Sequence, residues 1–366
     1  MIPQSTVFGI GTAVPERILS QEEALGLALQ LSPPANEEAK RQVELIYRRS
    51  GVERRGIAAA GSVCLDAADG DRGFRTASAG RPEGPGTSER MAIYAAHASS
   101  LATRSASLAL ECACSKASEI THLVTASCTG FGAPGWDVDL VERLGLPRHV
   151  QRTNVGFMGC HAALNALRVA DAFVRTDAGA TVLLCCTEIC SAHFHYGAKP
   201  DQIVANALFA DGSAAVVLSQ TGKRGAAHLR SFSSCIIPET RDQMAWAVGD
   251  HGFEMRLGIE LPGTIRRTAG EWLGRWLAGQ GLQLEDIGSW AVHPGGPKIL
   301  SSVAEALTLP AKALEDSKNV LAEHGNMSSP TALFILNRVL SRTLDKPCVM
   351  LSFGPGITAE AALFMP

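Results

Sequence analysis

Charge and aromatic side chains are scarce in this chain of 366 residues, at 19% and 5% respectively. The 33 basic and 36 acidic residues nearly cancel, to a net charge of −3, so no basic excess draws the chain to nucleic acid or anionic lipid. The few aromatics are mostly Phe, too sparse for a platform on which single-stranded nucleic acid would stack. No apolar run reaches the ~18–20 residues of a membrane span. The opening Met1-Ile2-Pro3-Gln4-Ser5-Thr6 has neither the basic start nor the apolar core of a secretory signal, so a cytoplasmic location is expected. The ten cysteines then read as reduced thiols and not as a disulfide framework. No CxxC pair and no HExxH occurs, so no metal site is expected. Gly9-Ile10-Gly11 tempts a dinucleotide reading, but the residue three on from Gly11 is Val14, and no Walker motif occurs anywhere.

What is present is apolar side chain, 46% of the total, enough for a large core and too much for a disordered chain. Strand-like and helix-like segments alternate. Thr6–Ile10 and His122–Ser127 read as strands, as do the apolar Thr181–Cys186 and Ala214–Leu218. Ser20 followed by Glu23 is a helix N-cap with its carboxylate at the third position. Further helices are expected over Asn36–Arg49, Ser88–Cys114 and His161–Val174, and from the turn at Gly130–Gly135 to Leu144. Residues 58–87 are rich in Gly, Ala, Asp and Pro without periodicity, an exposed loop or an active-site lid. The second half repeats this grammar: helices over Gly263–Ala278, Pro297–Leu307 and Ser328–Leu340, and strands over Ser289–Val292, Cys348–Phe353 and Ile357–Leu363. Both halves close alike, since Ala210-Asp211-Gly212-Ser213 precedes an apolar strand as Phe353-Gly354-Pro355-Gly356 does. Two similar α/β halves packed in layers, 1–221 and 222–366, are the economical reading.

Cys160 follows a glycine at the expected start of a helix, where outward N–H groups and the helix dipole favour a thiolate. A nearby His would depress its pKa further and make it a nucleophile. The alternative is a small buried Cys closing a tight turn. His293 ends a strand and enters Pro294-Gly295-Gly296-Pro297, a rigid turn that aims a side chain into a crevice, or else it is a satisfied core His. Asn326, just before a helix, either caps it or donates to a developing oxyanion.

Taken together, with their flanks and in this order, these residues resemble the type III polyketide synthases, the chalcone and stilbene synthase-like branch of the thiolase superfamily. The matching segments are Gly156-Phe157-Met158-Gly159-Cys160, Ala207-Leu208-Phe209-Ala210-Asp211-Gly212, Val292-His293-Pro294-Gly295-Gly296, Gly325-Asn326-Met327-Ser328-Ser329 and Phe353-Gly354-Pro355-Gly356. They span nearly the whole chain.

The resemblance implies a five-layer αβαβα thiolase-like fold with two pseudo-equivalent halves, usually as a homodimer. It implies acyl-CoA and malonyl-CoA as substrates, with no metal and no bound cofactor. Cys160 would carry the acyl chain, with His293 and Asn326 facing the thioester carbonyl. Phe209 would be a gatekeeper between CoA tunnel and cavity, and Met255 stands where plant members place a second gatekeeper Phe. Arg49 falls at a CoA phosphate position, shared with Arg48 or Lys298, because two other family positions for this task are here Gln42 and Leu45. Cys128 and Cys190 stand where plant enzymes carry Thr, His193 stands at another Thr position, and Ala133 where a Met reaches across the dimer. Thr129, Ser328 and Gly354-Pro355-Gly356 complete the implied cavity lining. Glu188-Ile189-Cys190-Ser191-Ala192-His193 is similar to the bacterial branch that extends fatty acyl starters to alkylpyrones or alkylresorcinols. The alternatives are a β-ketoacyl-carrier-protein synthase III, which condenses once, and a catalytically silent acyl-CoA-binding partner. The silent partner should lack one of the three site residues, and all are present.

Overall fold

A computed structural model describes residues 4–59, 83–220 and 227–366. Most of the stretch read as loop or lid lies outside the described residues, as does the expected junction of the halves at 221–222.

The first half opens with β1 (Ser5–Ala13), β2 (Ile18–Ser20), α1 (Gln21–Leu31), α2 (Glu37–Arg49), β3 (Arg54–Gly56) and α3 (Thr87–Cys112). It continues through β4 (His122–Ser127), α4 (Trp136–Leu144), β5 (Gln151–Gly156), α5 (Ala162–Thr176), β6 (Thr181–Ile189), α6 (Pro200–Leu208) and β7 (Asp211–Ser219). The second half has β8 (Ala227–Ile236), β9 (Met244–Gly249), β10 (Gly252–Leu257), α7 (Leu261–Gly279), β11 (Ser289–Val292) and α8 (Pro297–Ala306). Then come α9 (Glu315–His324), α10 (Ser329–Leu340), β12 (Cys348–Gly354) and β13 (Thr358–Met365).

Local chemistry sets these boundaries. Ser20 Oγ accepts the Glu23 N–H while the Glu23 carboxylate accepts the Ser20 N–H at 2.7 Å, a reciprocal cap on α1. Asn36 Oδ1 caps α2 through the Ala39 N–H at 2.9 Å. β1 runs on to Ala13, so the turn expected from Gly11 begins three residues later. Gly11 serves packing: a Cβ there would stand 2.2 Å from the Ser105 carbonyl, so its absence lets α3 lie directly on β1.

Nine strands join in the order β11-β12-β13-β8-β1-β7-β6-β4-β5. The halves share a pattern: β1 pairs antiparallel with β7, β7 with β6, and β6 parallel with β4. Likewise β8 pairs antiparallel with β13, β13 with β12, and β12 parallel with β11. A short antiparallel ladder between β1 and β8, from Ser5↔Leu229 to Val7↔Ala227, joins them.

Strand alternation then builds five layers. Leu183, Cys185, Ala215 and Val217 face outward onto α3 and α4. Their neighbours Leu184, Cys186, Val216 and Leu218 face inward onto α5 and α10, which also receive Cys348, Met350, Ala362 and Phe364 from the other half. On the far side Val349, Leu351, Ala361 and Leu363 meet α7 and α8. The order αβαβα follows, with α5 and α10 at the centre. Their N-terminal ends carry Cys160 and Asn326.

β8 was not anticipated because Ser231, Ser233 and Ser234 break its apolar pattern. Two of those hydroxyls accept indole N–H groups from α7, Trp272 to Ser233 at 3.0 Å and Trp276 to Ser231 at 3.2 Å. The separate β9–β10 hairpin, α6 and α9 were also not anticipated.

Candidate active site

Cys160 lies in a 3-10 turn, Gly159–His161, that leads into α5. The turn is held from both sides by close approach. A Cβ on Gly159, whose φ is +73°, would stand 2.3 Å from Pro355, and one on Gly354 would stand 2.1 Å from the His161 ring. That ring is itself fixed between Asn165, at 2.7 Å, and Thr358. The Phe353–Gly356 turn therefore presses on the chain on either side of the sulfur.

His293 leaves the end of β11, where its N–H donates to the Leu351 carbonyl at 2.8 Å. Asn326 pairs as an isolated bridge with Phe209: its N–H donates to Leu208 and its carbonyl accepts from Ala210, both at 2.9 Å. Asn326 Oδ1 accepts the Ser328 N–H at 2.8 Å, with Ser328 held at φ +58°. That bond fixes the carboxamide, so its N–H₂ end is the half left for the cavity.

The three side chains, far apart in sequence, line one cavity of about 410 Å³ together with Phe209, Met255 and Phe353. A larger cavity of about 910 Å³, counted to its open mouth, begins on the other side of Cys160. Cys160, Phe209, Met244 and Met255 belong to both, so the sulfur sits at the junction and the Phe and two Met stand around the passage.

All three polar residues are desolvated, Cys160 at 7%, His293 at 2% and Asn326 at 1% exposure. Burial pushes the Cys160 thiol up to about 12, against side-chain hydrogen bonds from Ser328 and Asn326, while the Glu188 carboxylate adds to the rise. Burial likewise pushes the His293 imidazole down to about 3, and the charge of His161 adds to this. The expected stabilisation of a thiolate at a helix start is opposed by dehydration, which favours the neutral thiol and imidazole. Neither ring nitrogen of His293 has a hydrogen-bond partner among the described residues, although both are buried. Orphaned nitrogens in a dry cavity are what an incoming carbonyl oxygen would satisfy.

Cys128, Thr129, Cys190, His193, Ser328 and Pro355 all line the larger cavity, as expected. His193 does so only as a ring wall. Its Nε2 meets the Thr129 carbonyl at 2.6 Å, its Nδ1 accepts the Phe253 N–H at 3.0 Å, and it stacks on Phe253 at 4.3 Å. Cys128 Sγ accepts the Gly159 N–H at 2.9 Å, bracing the nucleophile's turn. Ala133 lies in an exposed turn and does not line the cavity of its own chain. Gly354 and Gly356 do not line it either, because Gly354 is pressed against His161 and only Pro355 reaches the space.

Arg48, Arg49 and Lys298 are exposed and touch neither cavity. The end of α2 nevertheless meets the start of α8, since a Cβ on Gly51 would stand 2.9 Å from Pro297. Lys298 follows Pro297 in sequence, and Gly295 and Ile299 of the same segment line the smaller cavity.

Several functional positions were missed. Glu188 is fully buried beneath the site and gathers the N–H groups of Cys128 and Thr129, the Thr129 hydroxyl and, at 2.8 Å, the Ser329 hydroxyl. Met244 and Trp246 of β9 cover the larger cavity, with the Trp246 indole N–H on the Cys128 carbonyl at 2.8 Å. The turn Gly249-Asp250-His251-Gly252 was the available hairpin signal for that cover.

Comparison with known proteins agrees with this arrangement. Residues 3–221 match the family described as chalcone and stilbene synthases, N-terminal domain, and residues 228–365 match its C-terminal domain. The alpha-pyrone synthesis polyketide synthase-like Pks18 of Mycobacterium tuberculosis is 33% identical, covering 98% of this chain and 91% of its own. The 3,5-dihydroxyphenylacetyl-CoA synthase of Streptomyces toyocaensis is 32% identical over 99% of this chain and 90% of its own. Among solved structures, PKS-I from the brown alga Ectocarpus siliculosus superposes with a TM-score of 0.91 at 31% identity, covering 99% of this chain and 98% of that one.

Proposed function

This chain belongs to the chalcone and stilbene synthase family, the type III polyketide synthases, and on that premise we propose that it extends a fatty acyl starter held on Cys160 with successive malonyl-CoA units and closes the product to a pyrone or resorcinol. It is an acyltransferase. The observation that carries the reading is the position of Cys160 at the junction of two cavities, with His293 and Asn326 in the smaller.

In loading, Cys160 Sγ attacks the acyl-CoA carbonyl, its proton passes to His293, and CoA leaves as a thiol by taking that proton. Malonyl-CoA then loses CO₂; the electrons of the broken C–C bond form an enolate whose charge sits on the thioester oxygen. A His293 ring N–H and the Asn326 N–H₂ donate to that oxygen, each such donor being worth about 3 kcal/mol in a dry site. The enolate carbon attacks the acyl–Cys160 carbonyl, the C–S bond breaks, and a chain two carbons longer remains on CoA to reload. Repetition builds a polyketone: attack of its enol oxygen on the terminal thioester carbonyl closes a pyrone and expels CoA as a thiol, whereas attack of an enol carbon on a ketone carbonyl closes a carbocycle that loses water and, after hydrolysis of the thioester, CO₂, to give a resorcinol. Each extension consumes one proton from solvent, which restores the thiol of Cys160 as the C–S bond breaks.

Arg48 and Arg49 at the end of α2 and Lys298 at the start of α8, exposed on segments that meet at Gly51 and Pro297, are proposed to hold the phosphates of CoA. Apolar Met244, Met255 and Leu257 around the passage suit an alkyl chain. A second copy of the chain is proposed to cover the exposed apolar surface of Phe157, Met158 and Ile236, which line one depression, and Phe131, whose ring meets that of Phe157 at 5.8 Å. Ala133 is exposed two residues from Phe131. The proposed location is the cytoplasm; among the described residues no helix is long and apolar enough to cross a membrane.

The test is a mass spectrum of the products formed from malonyl-CoA and a panel of acyl-CoA starters. Alkyl-substituted pyrones or resorcinols from long starters are expected. Turnover restricted to aromatic or very short starters would refute the fatty acyl assignment.

A further inference from the structure

Asn326 owes its place to a segment of the other half. α6 ends at Leu208, and the last carbonyls of a helix have no partner within it. Here they are met from outside. The Leu208 carbonyl accepts the Asn326 N–H, and the Ala210 N–H donates to the Asn326 carbonyl, both at 2.9 Å. The carbonyls on either side of Leu208 go to Arg55. Its Nη1 donates to Asn206 at 2.8 Å and to Phe209 at 2.7 Å, and its Nη2 donates to Ala207 and to Gln21 Oε1.

This block is tightly closed. Arg55 is buried, with its guanidinium carbon 5.9 Å from the centre of the Tyr47 ring. Gln21 donates in turn to Ala207 at 3.0 Å and to Ser50 at 2.7 Å. A Cβ on Gly325, whose φ is +71°, would stand 2.9 Å from Ala210 Cβ and 3.1 Å from the Leu208 carbonyl, so the residue before Asn326 is bare where the segments meet. Burial pushes the Arg55 guanidinium down to about 10, with the Asp211 carboxylate opposing the fall, so it is charged at neutral pH. A cation suits the negative end of α6, and its planar fork fixes the carbonyls in direction as well as distance. Arg55 also borders the larger cavity, and its Nε–H is buried without a partner among the described residues. Direct contact with the acyl chain is therefore the competing role.

We infer that Arg55 is a positioning residue for malonyl decarboxylation: by fixing the turn at the end of α6 to which Asn326 is bonded, it sets where the Asn326 N–H₂ stands against the enolate oxygen. The inference rests on the reading above that Asn326 donates to that oxygen, and it adds the residue that aims the donor. The aim matters because a misplacement of about 1 Å at a reacting centre costs about 100-fold in rate. Arg55 reaches the site only through backbone bonds, so its effect on decarboxylation should vanish once the amide it aims is gone.

The experiment is a double-mutant cycle on the full-length enzyme, Arg55→Lys against Asn326→Asp. It reads kcat and KM for CO₂ release from malonyl-CoA, and the acyl adduct on Cys160 by intact mass. Lys keeps the charge and loses the fork. Alone, Arg55→Lys should lower kcat for decarboxylation at least about 10-fold, with KM within about threefold of the unmutated enzyme. In the Asn326→Asp background the same change should lower kcat by less than about threefold. Gln21→Met removes one acceptor of the fork and should give a smaller loss with the same dependence on Asn326, which keeps the test decisive if Arg55→Lys does not fold. Equal losses in both backgrounds, an unchanged kcat, or a loss confined to starter loading would overturn the inference while leaving the role of Asn326 standing. Asn326→Asp without effect on CO₂ release would refute that role itself, and this inference with it.

Discussion

Replacement of Asn326 by Asp isolates the proposed oxyanion donor. Asp is nearly isosteric and keeps an oxygen where Asn326 Oδ1 now accepts the Ser328 N–H at 2.8 Å. The backbone bonds to Leu208 and Ala210 do not involve the side chain and should persist. What changes is the other half of the head group: two N–H donors give way to a carboxyl oxygen. With one donor of about 3 kcal/mol removed, decarboxylation of malonyl-CoA should slow by about 150-fold, and further if the carboxyl is ionised beside the enolate. Starter loading also builds an oxyanion, at the carbonyl attacked by Cys160, and is therefore measured separately. The assay follows CO₂ release from malonyl-CoA and, separately, the intact mass of the acyl adduct on Cys160. Decarboxylation within about threefold of the unmutated enzyme, in a variant with an unchanged thermal midpoint, would refute the role given to Asn326.

Cys160→Ala should form no acyl adduct and no polyketide yet still release CO₂ slowly from malonyl-CoA, because His293 and Asn326 remain; intact mass and CO₂ release check both. Gly354→Ala should lower the urea-unfolding free energy by about 2–4 kcal/mol, because its Cβ would fall 2.1 Å from the His161 ring and displace it from Asn165 and Thr358. Burial holds His193 and His293 down to about 3 in the folded chain, against 6.5 when unfolded. Above pH 6.5 both are neutral in either state; as pH falls toward 3 the unfolded chain binds protons that the folded one refuses, and stability drops by about 1.4 kcal/mol per pH unit for each. His293→Ala should flatten that slope between pH 6 and 4 by about one proton, and urea titrations across this range measure it.

The parts of the fold that were legible in sequence are those whose side chains serve the core. His122–Ser127 is buried along its length and Ser289–Val292 from Trp290 onward, and these two strands coincide with those expected. The cap at Ser20 was readable because a cap is a local bond. The nucleophile, the imidazole and the amide were legible through their flanking turns, since Gly159, Gly354 and Gly325 are there for close approach or backbone shape that few other residues allow. The cavity was less legible. Trp246 and Met255 alternate toward empty space and not toward a packed core, so β9 and β10 lacked a pattern that marks them as strands. The expected thiolate failed for a related reason: position at a helix start is visible in sequence, whereas the depth of burial that overrides it is not.

The most direct test of the account is the number of malonyl units in one product. Given a single acyl-CoA starter and uniformly ¹³C-labelled malonyl-CoA, each extension leaves two labelled carbons in the chain and releases the third as CO₂. The account predicts products carrying two or more labelled pairs, with none formed by Cys160→Ala. Products with a single pair, or the same products from the Cys160→Ala enzyme, would contradict it.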